Sequence, residues 1–323
     1  MNIFGTILTY PAPSANYRGE SEENRTVIQK VTHGRFEYAV ISPEAIRNAL
    51  RETLATYGLP TNRERLHNED QLAVRFKEYP DATKFADDFF FGYLLALGKK
   101  EREKAEAVRG KGYPIKRDSV IRMNLAMALE PYRHDAIFSQ SPKNVDSPWQ
   151  NAGTSALLHR ETTVTAFQYP FAINVEDCRS DDPNLDRQYK SWLSRLFKAL
   201  SELNDVAGNH SRSYFEMAPA SIVLRLTPSL VAGYETYGFR PDGAFPEVVE
   251  GILAGDYLGQ EFYLGGRLVR DVLAAMTRKV DGRDVPVSTL LEQHRAHLFR
   301  TAAQALDAVA AHPDVCSKGF LAD

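Results

Sequence analysis

Residues 35–54 read RFEYAVISPEAIRNALRETL, and their reading decides the fold. Phe36, Tyr38 and Val40 alternate with Arg35, Glu37 and Ala39, which is the period of a strand. Ser42-Pro43 follows. Serine is a good N-cap, and proline suits the first helical position because its missing N–H had no partner there. Glu44 puts a negative charge in the first turn, on the favourable side of the helix dipole. Ala45, Ile46, Ala49, Leu50, Thr53 and Leu54 then make a stripe at helical spacing, and Gly58-Leu59-Pro60 is a stop signal. Arg47 and Arg51 stand one turn apart, with Asn48 beside Arg47. Two guanidinium groups on one helix edge can grip successive phosphates or carboxylates. A solvated helix face is the ordinary alternative.

Working outward, Asn2–Tyr10 (NIFGTILTY) is β-branched and aromatic and predicts an opening strand closed by Pro11 and Pro13. The polar stretch that follows, to Gly34, is long enough for a functional loop or an irregular hairpin. Ser119–Leu129 and Thr162–Val175 predict two strands, joined by a turn-rich loop that carries Phe138 and Trp149. Leu185, Tyr189, Trp192, Leu193, Leu196, Phe197 and Leu200 predict an amphipathic helix over 181–205, and Ala220–Leu226 a further strand. The order strand, helix, strand, strand, helix, strand is the split βαβ pattern. The predicted class is therefore α+β, with a modified ferredoxin-like (RRM-like) core. Residues 61–117 interrupt it as an insertion. There NRERLHNEDQLAVRFKEY is expected to be a polar helix, FADDFFFGYLLAL an apolar helix interrupted at Gly92, and KKEREKAEAVRGKGYPIKR a basic, flexible tract. The last third is expected to be largely helical, with helical periodicity over 259–278 and 289–311.

The chain has 323 residues, 25% of them charged, and a net charge of -3. A globally basic body is excluded, so any nucleic-acid site must be a local groove. Two distant cysteines, Cys178 and Cys316, form no CxxC, and a reducing cytoplasm is the simple expectation. The N-terminus carries no basic n-region and reads as a strand, and no apolar run approaches the ~20 residues of a membrane span. No membrane partner is expected.

Searching for chemistry yields little. The sequence has no GxxxxGK[ST], no HExxH, no Gly-x-Ser-x-Gly and no RNA-recognition-motif consensus. His294 and His297 are three apart on an expected helix, but no third metal ligand is suggested. The pairs Asp87-Asp88 and Asp181-Asp182 sit where carboxylates cap helices. No metal or cofactor is expected. His210 and Arg212, in a loop before a strand, suit anion binding better than nucleophile chemistry. Arg18, Arg25, Lys30, Arg47, Arg51, Arg160 and Arg212 all fall at strand ends, in loops or on the first helix. In a ferredoxin-like fold such positions can converge on one groove for single-stranded RNA, with Phe138 and Trp149 as candidate wedges between bases.

Four stretches resemble the DevR family of CRISPR-associated proteins, the backbone subunit of type I (I-B-like) Cascade: the first strand with its Asn16–Glu20 loop (NYRGE), VISPEAIRNALR, TAFQYPFAINV, and GNHSRS followed by APASIVLRL. VISPEAIRNALR is the most specific of them. The resemblance spans roughly residues 1–58 and 119–227. It implies a hand-like RAMP subunit. Residues 1–60 and 118–228 would be the palm, 61–117 the fingers, 132–160 the thumb loop, and 229–323 an extension packed on the palm. It further implies a cytoplasmic, non-catalytic RNA-binding protein of antiviral defence, whose copies stack as a homo-oligomeric filament along a crRNA. The implied partners are crRNA, target DNA through the crRNA heteroduplex, further copies of the chain and other Cascade subunits. Sequence reading is then delegated to base pairing. Ser42, Arg47 and Arg51 match the family's positions near guide phosphates. Arg25 and Lys30 lie where a basic loop approaches the RNA. Glu44 departs from the neutral polar residue often found at that point. RNA-cutting relatives use an aspartate between the first strand and helix, whereas residues 16–34 hold Glu20, Glu22 and Glu23 but no aspartate, so no nuclease activity is expected. Two alternatives remain open at this level: an endoribonuclease processing guide precursor, with His33 or His210 as base, and a protein-binding autoregulator.

Overall fold

The computed structural model describes residues 1–14, 17–22, 25–67, 72–133, 135–140, 157–206 and 217–321. A nine-stranded sheet organises them. Its strands are β1 (Asn2–Thr9), β2 (Lys30–His33), β3 (Phe36–Ile41), β4 (Ile121–Met123), β5 (Ala126–Ala128), β6 (Phe167–Asn174), β7 (Pro219–Thr227), β8 (Phe262–Gly266) and β9 (His297–Phe299). The spatial order is β9-β8-β7-β1-β6-β5-β3-β2, with β4 also on β6. Neighbours run antiparallel except β8 and β9, which are parallel. This makes a mixed α/β chain with a central mixed sheet.

Strand alternation sorts side chains between two cores. From β1, Ile3 and Ile7 enter one core, while Phe4 and Leu8 face the other. From β7, Ile222, Leu224 and Leu226 take the first side and Val223 the second. The first core is roofed by α1 (Pro43–Thr56), α2 (Ala86–Phe91), α4 (Pro183–Ser201) and α7 (Ala302–Ala311); α3 (Lys99–Arg109), α5 (Pro246–Ala254) and α6 (Val287–Gln293) complete the set of α-helices among the described residues. The second core is closed by α5, α6 and Phe239, Phe245 and Leu268.

The helix of the opening stretch forms as its residues dictate. Ser42 Oγ accepts from Ala45 N at 3.2 Å, Pro43 is the first helical residue, and Ile46, Ala49, Leu50 and Leu54 are buried. In α4, Asp182 caps Asn184 N at 2.8 Å and Trp192, Leu193, Leu196 and Phe197 are buried. The expected strand over 119–129 is split into β4 and β5. Its register against β6 slips by one residue between Met123↔Phe171 and Met127↔Gln168. Pro170, with no N–H to donate, sits opposite the slip, and a bulge is how a sheet tolerates that loss. The Leu125 carbonyl freed there accepts from Tyr237 Oη at 2.7 Å.

Three expectations are corrected. Residues 63–76 are not a helix but a hairpin, Arg63–His67 against Leu72–Phe76. Arg75 Nε meets Glu64 Oε1 at 2.5 Å across it, a cross-strand ion pair unavailable to a helix at that spacing. The basic tract is not simply flexible: Lys99–Arg109 is helix α3, ended by Gly110. The last third is not largely helical. Phe262, Tyr263 and Leu264 alternate between the two cores as β8, and Arg295 at φ 66° breaks the expected helix over 289–311. Its two halves become α6 and α7, with β9 between them. His294 and His297 therefore share no helix face, and His297 stacks on Tyr263 at 4.3 Å instead.

Candidate nucleic-acid interface

The sequence-predicted residues fall into two groups. The first lies on a second sheet that sequence reading missed. Ala136–Gln140 pairs antiparallel with Leu157–Glu161, which pairs parallel with Arg25–Ile28, which pairs antiparallel with Tyr17–Glu22. The loop after β1 and the candidate thumb are thus one sheet. Its register sets His159 beside Arg25, Arg160 beside Thr26 and Phe138 beside His159. Phe138 is 54% exposed and meets the His159 ring edge-on at 5.3 Å. Arg18 belongs to the strand Tyr17–Glu22 of the same sheet. At its base Glu161, 4% exposed, accepts from Ile28 N at 3.0 Å and lies 3.6 Å from Lys30 Nζ. Lys30 also sits over the Tyr132 ring at 4.4 Å and 3.8 Å from Glu37. Its ammonium is committed to joining the two sheets. Trp149, His210 and Arg212 lie outside the described residues, as does Glu23.

The second group lies on α1, and its arginines are not a plain solvated face. Arg47 Nη2 donates to Glu44 Oε1 at 2.7 Å and Nη1 to Ser119 Oγ at 3.4 Å. Arg51 is only 11% exposed, lies over the Phe91 ring at 4.7 Å, and sits 3.8 Å from Asp87 Oδ2. Burial, with Arg63 and Arg47 close by, lowers its pKa to about 10 despite Asp87. Asn48 turns to Glu52 at 3.3 Å.

Asp87 and Asp88, both 1% exposed, act as the caps their position suggests, but for the backbone of another segment. Asp87 accepts from Asn62 N at 2.8 Å and Arg63 N at 3.1 Å; Asp88 Oδ2 accepts from Asn62 Nδ2 at 2.8 Å and Asp81 N at 3.0 Å. The entry to 61–117 is pinned to α2 in this way, and Arg63 is brought against α1. Arg63 Nη2 donates to Gly92 O at 3.4 Å, and its own pKa is lowered by burial and by Arg47, against the pull of Asp87 and Asp88. Lys116–Arg117 pairs with Tyr93–Leu94 and delivers Arg117 to the same place. The result is a cleft of about 320 Å³ where α1 meets residues 61–119. Sequence reading found Arg47 and Arg51 but not Arg63, Lys116 or Arg117, which no helical or strand period links to α1. Among the described residues no cluster of His, Cys, Asp or Glu is arranged to hold a metal, and no helix is long and apolar enough to cross a membrane.

Comparison with known proteins agrees with the motifs. Over 302 residues the chain is 26% identical to a CRISPR-associated protein Cas7/Cst2/DevR of Myxococcus xanthus (strain DK1622), covering 88% of this chain and 93% of that one. The resemblance to the DevR family is borne out. A scan of protein-family models returns no match. Two solved chains share the fold: one of a CRISPR RNA-guided surveillance complex, with TM-score 0.54 and 12% identity, and one of such a complex described as pre-nicking, with TM-score 0.56 and 10% identity. Each comparison covers 96% of this chain and 99% of the other.

Proposed function

We propose that the chain is a non-catalytic backbone subunit of a type I CRISPR Cascade. Copies of it bind the crRNA as a helical filament and present it for pairing with target DNA, beside other Cascade subunits. The observation that carries this reading is the likeness to the Cas7/Cst2/DevR relative, which runs through nearly all of both chains.

The geometry supports it at two places. The order β7-β1-β6-β4/β5, all antiparallel, fits a ferredoxin-like palm over 1–60 and 118–228. Residues 61–117 would be the fingers, 132–160 the thumb and 229–323 the extension. The thumb's exposed Phe138 suits a wedge between bases, and α1 with Ser42, Arg47 and Arg51 suits the guide backbone. Arg18, Arg25, Arg160, His210 and Arg212 are further candidates for that backbone. Lys30 and Asn48 would act through their ion pair and hydrogen bond rather than directly on phosphate.

Length of protected RNA tests the reading. A filament protects RNA in regular steps as protein is added. With Mg²⁺ the bound RNA should stay intact. Turnover abolished by replacing Glu20, Glu22 or Glu23 would refute the non-catalytic reading, and absence of any protection at low salt would refute RNA binding.

A further inference from the structure

The cleft between α1 and the insertion holds more positive charge than its neighbours neutralise. Arg47 and Arg51 reach it from α1, and Arg63, Lys116 and Arg117 from the insertion. Two lining carboxylates oppose these five cations: Glu44, which is 70% exposed and held by Arg47, and Asp118, exposed and 3.5 Å from Lys116. Both are at the rim, where water screens them and an incoming anion can displace them. Behind the wall only Asp87 and Asp88 remain, and their oxygens are largely engaged by Asn62, the Arg63 N–H and Asp81.

Buried donors are left over. Arg51 Nε and Arg117 Nε are both inaccessible to water and have no hydrogen-bond partner. A guanidinium held dry beside like charges gains strongly from an anion, because the desolvation has already been met by folding. The backbone makes the cleft rigid. Gly92 adopts φ +63°, and a Cβ there would run into the Arg117 carbonyl and Asp118. Only glycine lets the 92–94 strand lie close enough to 116–117 to fix Arg117 in the wall.

We infer that this cleft binds one phosphodiester of the guide RNA, gripped jointly by α1 and by Arg63 and Arg117 of the insertion. The inference rests on the proposed function and adds to it. A phosphate seated there ties 61–117 to the helix that follows the guide, so the two parts read the RNA as one body. Arg63 and Arg117 thereby become binding residues, and Asp87 becomes a positioning residue that fixes the Arg63 backbone and faces Arg51.

The test measures single-stranded RNA affinity against salt for the full chain and for two double variants, Arg47→Ala with Arg51→Ala and Arg63→Ala with Arg117→Ala, and for all four changes together. Thermal midpoints check that each variant is folded. Each double variant should lose roughly tenfold or more in affinity and about 0.7 in the log–log salt slope, the loss of one single-strand phosphate contact. The quadruple variant should lose no more slope than either pair, because one phosphate is shared. A wild-type slope in the Arg63/Arg117 variant would overturn the inference, and so would slope losses that simply add. If wild-type chain binds no RNA, the functional reading falls, and inorganic pyrophosphate titrated by calorimetry then decides the cleft alone. Binding heat that disappears in the Arg63/Arg117 variant upholds an anion site, and no heat from the wild type overturns it.

Discussion

Replacing Asp88 by asparagine should make the protein more stable at neutral pH and less pH-sensitive. The Asp88 carboxyl is 1% exposed, and its Oδ1 has no hydrogen-bond partner. Burial raises its pKa from the ordinary 3.8 to about 6, and the neighbouring Asp87 charge adds to the rise. Donation from Asp81 N and Asn62, and the charge of Arg63, pull the other way without cancelling it. The sign follows from proton uptake. Between about pH 4 and pH 6 the folded state holds a proton that the unfolded chain has released, so stability falls as pH rises through that window. Above it the full penalty stands, about 3 kcal/mol for a gap of roughly two units. Asparagine keeps one oxygen for both donors and carries no charge, but its amide takes the place of the unpartnered Oδ1 at a cost of about 1–2 kcal/mol. The variant should therefore be slightly less stable than wild type near pH 4 and more stable by about 1–2 kcal/mol at pH 7. Urea midpoints of both proteins across that range are the assay. Two curves that run parallel would refute the reasoning, since Asp88 would then titrate alike in the folded and unfolded chains.

Other substitutions probe separate parts of the molecule. Arg51→Ala alone should cost about 1–3 kcal/mol by thermal melting, because it strips the stacking on Phe91 and the charge facing Asp87; an unchanged midpoint would mean the side chain is a free surface arm. Gly5→Ala should cost roughly 1–3 kcal/mol, since a Cβ would press on the Phe171 ring and lie 2.9 Å from Leu224 Cδ2 in the middle of the sheet. A stability equal to wild type would contradict the packing of β1 between β6 and β7. Phe138→Ala should leave the melting midpoint within about 0.5 kcal/mol equivalent, as an exposed side chain does, while shortening the steps of RNA protection. Loss of folding would make Phe138 core rather than wedge. Deleting the tip 141–150 should spare monomer folding and impair assembly on RNA, which light scattering with and without RNA resolves.

Local chemistry was readable wherever a segment's own residues supply its partners. Ser42 caps the turn that follows it, so strand, cap and helix at 36–56 were legible without any tertiary information. The long apolar periods of β1, β6, β7 and α4 were legible for the same reason, since each runs for two or more full repeats. Short elements were not. A three-residue strand such as His297–Phe299 has too little period to distinguish it from a helical turn, and only its seat beside β8 makes it a strand. The 63–76 hairpin misleads because RERLH and LAVRF are polar enough for a solvated helix; their charges match across strands rather than along a helix.

The sequence by itself determined an α+β chain built on a capped arginine helix, because capping, proline placement and side-chain alternation act over a few neighbouring residues. Only the tertiary structure decided that the loop after β1 and the 132–160 segment share one sheet, and that Arg63 and Arg117 join Arg47 and Arg51 around a single cleft. Strand pairing and the clustering of charges unite residues far apart along the chain. Backbone hydrogen bonds between such strands carry no side-chain signature, and an arginine's partners are set by what folding buries beside it.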